Sequence, residues 1–108
     1  MPVYNKLVRD LIPQVIENSG RRFSTRILDK SEHLTEVKNK FYEEMKEFEA
    51  TDNRKDALEE LADILELIHA ALPILEATYE ELEQIRIAKK EKRGGFNDGV
   101  YLIEVEDA

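Results

Sequence analysis

The chain has 108 residues, a formal net charge of −8, 37% charged residues and no cysteine. The acid excess argues against gripping duplex nucleic acid, which calls for a basic face. The missing cysteines exclude disulfides, thiol catalysis and Cys-ligated zinc. The length suits one domain, 1–108, with one modest core. An apolar content of 42% is too high for a disordered tail. Abundant Glu, Lys and Leu, with few Gly and Pro, favour helices over sheets. No window reaches the ~18 apolar residues of a membrane span. The opening MPVYNKLVRD lacks the apolar core of a signal peptide, so the expected setting is cytoplasmic.

In YNKLVRDLIPQVIENSG, Leu11, Ile12, Val15 and Ile16 recur at helical spacing, and Asn18, Ser19 and Gly20 end this first short helix. Pro13 fits only near its first turn. RRFSTRILD then reads as irregular or extended, anchored by Phe23, Ile27 and Leu28. Ser31 is the expected N-cap of a second helix. Its apolar stripe is Leu34, Val37, Phe41, Met45 and Phe48. ATDN breaks that helix, and Asp52 or Asn53 caps the third, DALEELADILELIHAAL. Pro73 ends or kinks it. A fourth helix is expected from roughly Ile74 to Lys92, carrying Leu75, Tyr79, Leu82, Ile85 and Ile87, until RGG stops it and lets Phe96 turn inward. The tail GVYLIEVEDA is β-prone from Val100 to Val105, suited to a short strand or to lying along the helices. The expected architecture is all-α, an antiparallel bundle of about four helices with a short extended C-terminal tail.

The acids are not all on solvated faces. On a wheel of 100° per residue, Glu44 lies about 60° and Glu47 about 120° to one side of Phe41, while Glu43 points away from the core. On the third helix, Leu58, Leu61, Leu65, Ile68 and Leu72 form the expected core stripe, flanked by Ile64 and Leu67. Glu60 shares that flank and Asp63 lies beside it, so Glu60 is expected to be partly buried. A buried carboxylate must be paired, protonated or bound to a cation. Two antiparallel helices can bring Glu44 and Glu47 opposite Glu60 and Asp63, and hard oxygen ligands select Mg²⁺, Mn²⁺ or Ca²⁺. The plain alternative is a set of surface salt bridges, since ExxE arises readily in a chain with 24 acids. EELE, from Glu80 to Glu83, also matches and reads as a solvated face. His33 near a helix start reads as exposed, and His69 as a packed or rim residue.

EEMKE (Glu43 to Glu47), followed after twelve residues by ELAD (Glu60 to Asp63), resembles the ExxE…ExxD signature of MazG-like proteins. These are all-α nucleoside triphosphate pyrophosphohydrolases, a superfamily that includes phosphoribosyl-ATP pyrophosphohydrolase. YNKLVRDLIP near the start and KEKRGGF near the end are similar to a phosphoribosyl-ATP pyrophosphohydrolase-like subgroup, so the resemblance spans almost the whole chain. Leu11 stands where many relatives carry Lys, which removes one phosphate contact. The resemblance implies that Glu44, Glu47, Glu60 and Asp63 hold Mg²⁺, with Mn²⁺ as the alternative. The metal would bind a triphosphate and acidify a water for attack on the α–β phosphoanhydride, with one acid, such as Glu47, orienting it. The products would be a nucleoside monophosphate and pyrophosphate.

Lys6 and Arg9, with Lys89, Lys92 and Arg93, become the expected phosphate contacts. For Lys89 to Arg93 the helix C-terminal dipole is an equal explanation. The expected substrate is a nucleotide or another phosphoanhydride, and the expected assembly a homodimer or higher homo-oligomer, because the third helix is apolar over more than half its circumference. The competing function is a non-enzymatic acidic helical module for oligomerisation or interaction.

Overall fold

In the computed structural model residues 2–107 are described; Met1 and Ala108, the ends of the opening and closing stretches, lie outside them. Among these residues the fold is all-α, with four helices and no strand. Two compact units are present, Met1–Glu76 and Ala77–Ala108.

The first unit holds α1 (Ile12–Asn18), α2 (Lys30–Glu49) and α3 (Arg54–Ile74). Pro13 sits in the first turn of α1, where its missing N–H breaks no intrahelical bond. The cap of α2 is Asp29 rather than Ser31: the Asp29 carboxylate accepts from the Glu32 backbone N–H at 2.8 Å. An aspartate there also places negative charge at the positive end of the helix dipole. Asn53 caps α3 by accepting from the Asp56 N–H at 2.9 Å. Only Ala50 to Asn53 separate the two long helices, so they return on each other as a hairpin. The contacts are in antiparallel register: Glu44 meets Glu60 near the turn, and Lys30 pairs with Glu76 at 2.9 Å at the far end.

The helix α3 runs through Pro73 and closes at Ile74, where Leu75 bonds back to Ala71. The chain then turns through Glu76, at φ 57°, so no fourth helix starts at Ile74. In the second unit, α4 (Tyr79–Arg93) begins after Thr78, which forms a reciprocal capping box with Glu81. It ends at Gly94, whose φ of 83° strains any side-chain-bearing residue. Phe96 does not turn inward; it is 99% exposed. The tail pairs into no strand, and Val100 to Ile103 and Val105 are exposed.

The hairpin covers most of the expected α2 stripe (Leu34, Val37, Phe41 and Phe48) and, on α3, Ile68 and the buried Leu72, but each inward face is rotated from the centre of its stripe. On α2 the buried arc centres between Val37 and Glu44, about 50° from Phe41 towards the acids, and Met45 is exposed. On α3 the covered side carries Ala57, Glu60, Ile64, Leu67 and Ala71, roughly 100° from the centre of the leucine stripe, and reaches that stripe at Ile68 and the buried Leu72. Leu58, Leu61 and Leu65, expected in the core, are 44–48% exposed. Ile27 is exposed, so Leu28 and the partly covered Phe23 anchor the irregular segment without it. His33 is half-buried rather than exposed, and His69 is exposed. No helix among the described residues is long and apolar enough to cross a membrane.

Candidate metal centre

The inward faces of α2 and α3 each carry an acid pair one turn long. Glu44 and Glu47 stand at i and i+3 on α2, Glu60 and Asp63 at i and i+3 on α3. The hairpin register sets the pairs face to face. One carboxylate oxygen from each of the four lies within 4.8 Å of the others. Glu44 is buried at 6% exposure, Glu60 and Asp63 are half-buried, and Glu47 is exposed at the open side. The sequence expectation that these four converge is met.

Their electrostatics are those of an under-neutralised site. Burial, then the facing carboxyls of Glu60 and Glu47 and the charge of Asp63, push the Glu44 carboxyl up to about 8. The facing Glu44 carboxyl pulls Glu60 down, but burial and the charges of Glu47 and Asp63 outweigh it and leave Glu60 raised. Two oxygens, Glu44 Oε2 and Glu60 Oε2, are shut off from solvent with no hydrogen-bond partner. Buried polar atoms are nearly always satisfied, so two orphans on facing carboxylates of one cluster are consistent with a missing donor or cation.

Two cations reach the cluster from its edge. Lys40 Nζ stands 4.0 Å from Glu44 Oε1, and Arg9 Nη2 donates to Asp63 Oδ1 at 2.5 Å. That bond is the main reason the Arg9 guanidinium is held above its usual range. Four carboxylates against two peripheral cations leave an excess that a hard divalent ion fits.

Glu43 does not point away into solvent. It is half-buried and accepts from Lys6 and from Lys40, each at 3.1 Å. Burial alone would raise its carboxyl, but these two ammonium groups hold it below the usual range. The reason is the N-terminal arm, which lays Lys6 and Arg9 alongside the hairpin and covers the side of α2 that a bare helical wheel leaves to water. Lys40 was not a predicted site residue, although its i,i+3 and i,i+4 spacing to Glu43 and Glu44 is a legible signal.

Lys89, Lys92 and Arg93 belong to the second unit, on the last turns of α4. Lys90, Lys92 and Arg93 fall in the final turn, where cations complement the helix dipole. Arg93 and Lys90 also line a hollow of about 490 Å³ closed by Gly94 to Val100. Comparison with protein-family models, with curated proteins and with solved structures gives no match.

Proposed function

We propose that the protein is a divalent-metal-dependent pyrophosphohydrolase of the MazG-like kind, near the phosphoribosyl-ATP pyrophosphohydrolase-like subgroup. It cleaves the α–β phosphoanhydride of a nucleoside triphosphate to a nucleoside monophosphate and pyrophosphate, in a cytoplasmic house-cleaning role. The observation that carries this reading is the quartet Glu44, Glu47, Glu60 and Asp63, with two buried oxygens lacking any partner. The donor set fits Mg²⁺, and Mn²⁺ next, because all four ligands are hard oxygens. Bound there, such an ion supplies Lewis acidity towards phosphoryl oxygens and lowers the pKa of water.

The chain's own groups divide the remaining work. Glu44 and Glu60, the more enclosed pair, are fixed ligands. Glu47, on the open side, orients the attacking water and accepts its proton. Lys6 and Arg9 exchange their carboxylate partners, Glu43 and Asp63, for phosphate oxygens, the arginine through its planar fork. The exposed stripe Leu58, Leu61 and Leu65 supports assembly as a homodimer.

The test is pyrophosphate release from a panel of nucleoside triphosphates, with Mg²⁺ or with chelator, for the wild type and Glu60→Gln. Metal-dependent release that vanishes in the variant is the expected result. Release that is unchanged in Glu60→Gln, or insensitive to chelator, would defeat the proposal. The same leucine stripe favours the second reading, a non-enzymatic helical interaction module. That reading predicts no release and no difference in metal binding between the two proteins.

A further inference from the structure

The acid cluster accounts for a phosphoanhydride but not for whatever is attached to it. In the same unit as the cluster, on the first turns of α2, is a half-open hollow of about 400 Å³. The N-terminal arm supplies Lys6 and Leu7 to its wall, the irregular segment Arg26 and Leu28, and the first turns of α2 Glu32 and Thr35, among others. We infer that this cavity receives the nucleoside end of the substrate whose anhydride lies over Glu44, Glu47, Glu60 and Asp63. The inference rests on the pyrophosphohydrolase reading and adds to it where specificity is decided.

Three observations support the assignment. The first is position. Glu32, Glu36, Lys40 and Glu44 follow one another at i+4 on a single ridge of α2, the first two at the cavity and the last in the cluster. Glu36 and Glu44 are eight residues apart, about 12 Å along the axis, which suits a ligand with its anhydride at one end and its ring at the other. Lys6 lines the cavity while its Nζ donates to Glu43, the residue before Glu44, at 3.1 Å.

The second is charge. Two cations, Lys6 and Arg26, and two carboxylates, Glu32 and Glu36, line the cavity and cancel formally. A phosphate placed there would face Glu32 and Glu36, whereas an uncharged ring and sugar would not be repelled. The third is chemistry. Leu7 and Leu28 are half-buried and give a planar ring apolar contact. Arg26 is locked in a fork on Glu32, at 3.3 and 2.8 Å, forming a stiff polar side. Glu36 accepts only the Asn39 amide, at 3.3 Å, among the hydrogen bonds described, and keeps acceptor capacity for sugar hydroxyls or ring amines.

The experiment uses the neutral nucleosides themselves, so that binding is read without turnover. Adenosine, guanosine, cytidine and uridine are titrated into the metal-free, isotope-labelled full chain, and amide shifts are followed. At least one nucleoside should move the Leu7, Leu28 and Thr35 amides saturably. Those shifts should vanish in Thr35→Trp, which fills the cavity from an exposed helical position, and persist in Glu60→Gln. Ser31→Phe, also at an exposed lining position, serves if Thr35→Trp perturbs the helix. Shifts at these amides by no nucleoside, or shifts that survive filling, overturn the inference even if pyrophosphate release is found. Saturable binding here with no release from any triphosphate keeps the cavity and rejects the hydrolase.

Discussion

The chain writes nearly the same acidic motif twice, as EEMKE at Glu43 to Glu47 and as EELE at Glu80 to Glu83, and the two end in opposite states. On α4, Glu81 closes the capping box with Thr78, and Glu83 is forked by Arg86 three residues on. The Glu83 carboxyl is held below its usual range by that arginine. On α2, Glu44 meets two more acids from α3, with Lys40 4.0 Å away and Arg9 bound to Asp63, and it is pushed up to about 8. Spacing is equal in both places; the difference lies in what the neighbouring element contributes. An acid pair becomes able to hold a metal when the chain sets a second acid pair opposite it and supplies fewer cations than acids.

The sharpest way to break this contrast is to neutralise one acid in each place. Glu44→Gln or Glu60→Gln should lower metal-dependent pyrophosphate release by more than about 100-fold, beyond the loss usual for a merely supporting group. Glu83→Gln should leave it within twofold. Steady-state kinetics on the three variants decides the matter, and equal effects would erase the distinction.

The next effect is on stability against pH in metal-free protein. Glu44 has a folded-state pKa raised above its unfolded value, so the folded state holds the extra proton between roughly pH 4.5 and 8. Stability therefore falls as pH rises through that window, by on the order of a few kcal/mol. The lowered carboxyls, Glu43 and Glu83, act oppositely: their contribution is present above the unfolded pKa and is lost as pH falls through their folded values. Urea melts at a series of pH values should show the alkaline-side loss in the wild type. The loss should be smaller in Glu44→Gln, where the raised Glu60 supplies what remains, and suppressed by Mg²⁺.

A smaller effect is expected at the arm. Arg9 is more than half exposed, so Arg9→Ala should lower metal-free stability by under about 1 kcal/mol. It should raise KM for a triphosphate while changing kcat less. A loss confined to stability would return Arg9 to a purely structural role. Smallest of all, Glu83→Gln should shift Tm slightly at neutral pH and not at all at low pH, where the wild-type carboxyl is also uncharged.

Much of this was legible in the sequence, and the failures share one cause. Helix existence, the Asn53 cap and the convergence of the four acids follow from periodicity, turn chemistry and hairpin geometry. The direction each helix faces did not. A stripe of leucines identifies an apolar surface but not its partner: Ala57, Ile64 and Ala71 are partly covered and Leu72 is buried, while Leu58, Leu61 and Leu65 are exposed. The state of Glu43 was equally hidden, since its partner Lys6 lies thirty-seven residues away on an arm with no periodicity to place it.

The four carboxylates fall between residues 44 and 63, on either side of a turn of four residues. Their meeting therefore depends on nearby rather than distant stretches of chain. Loop closure over so short a separation carries a small entropy cost, and low contact order favours fast formation. Repulsion among the acids is thus a property of the hairpin alone. A divalent ion would act on the hairpin itself, independently of the arm that carries Lys6 and Arg9.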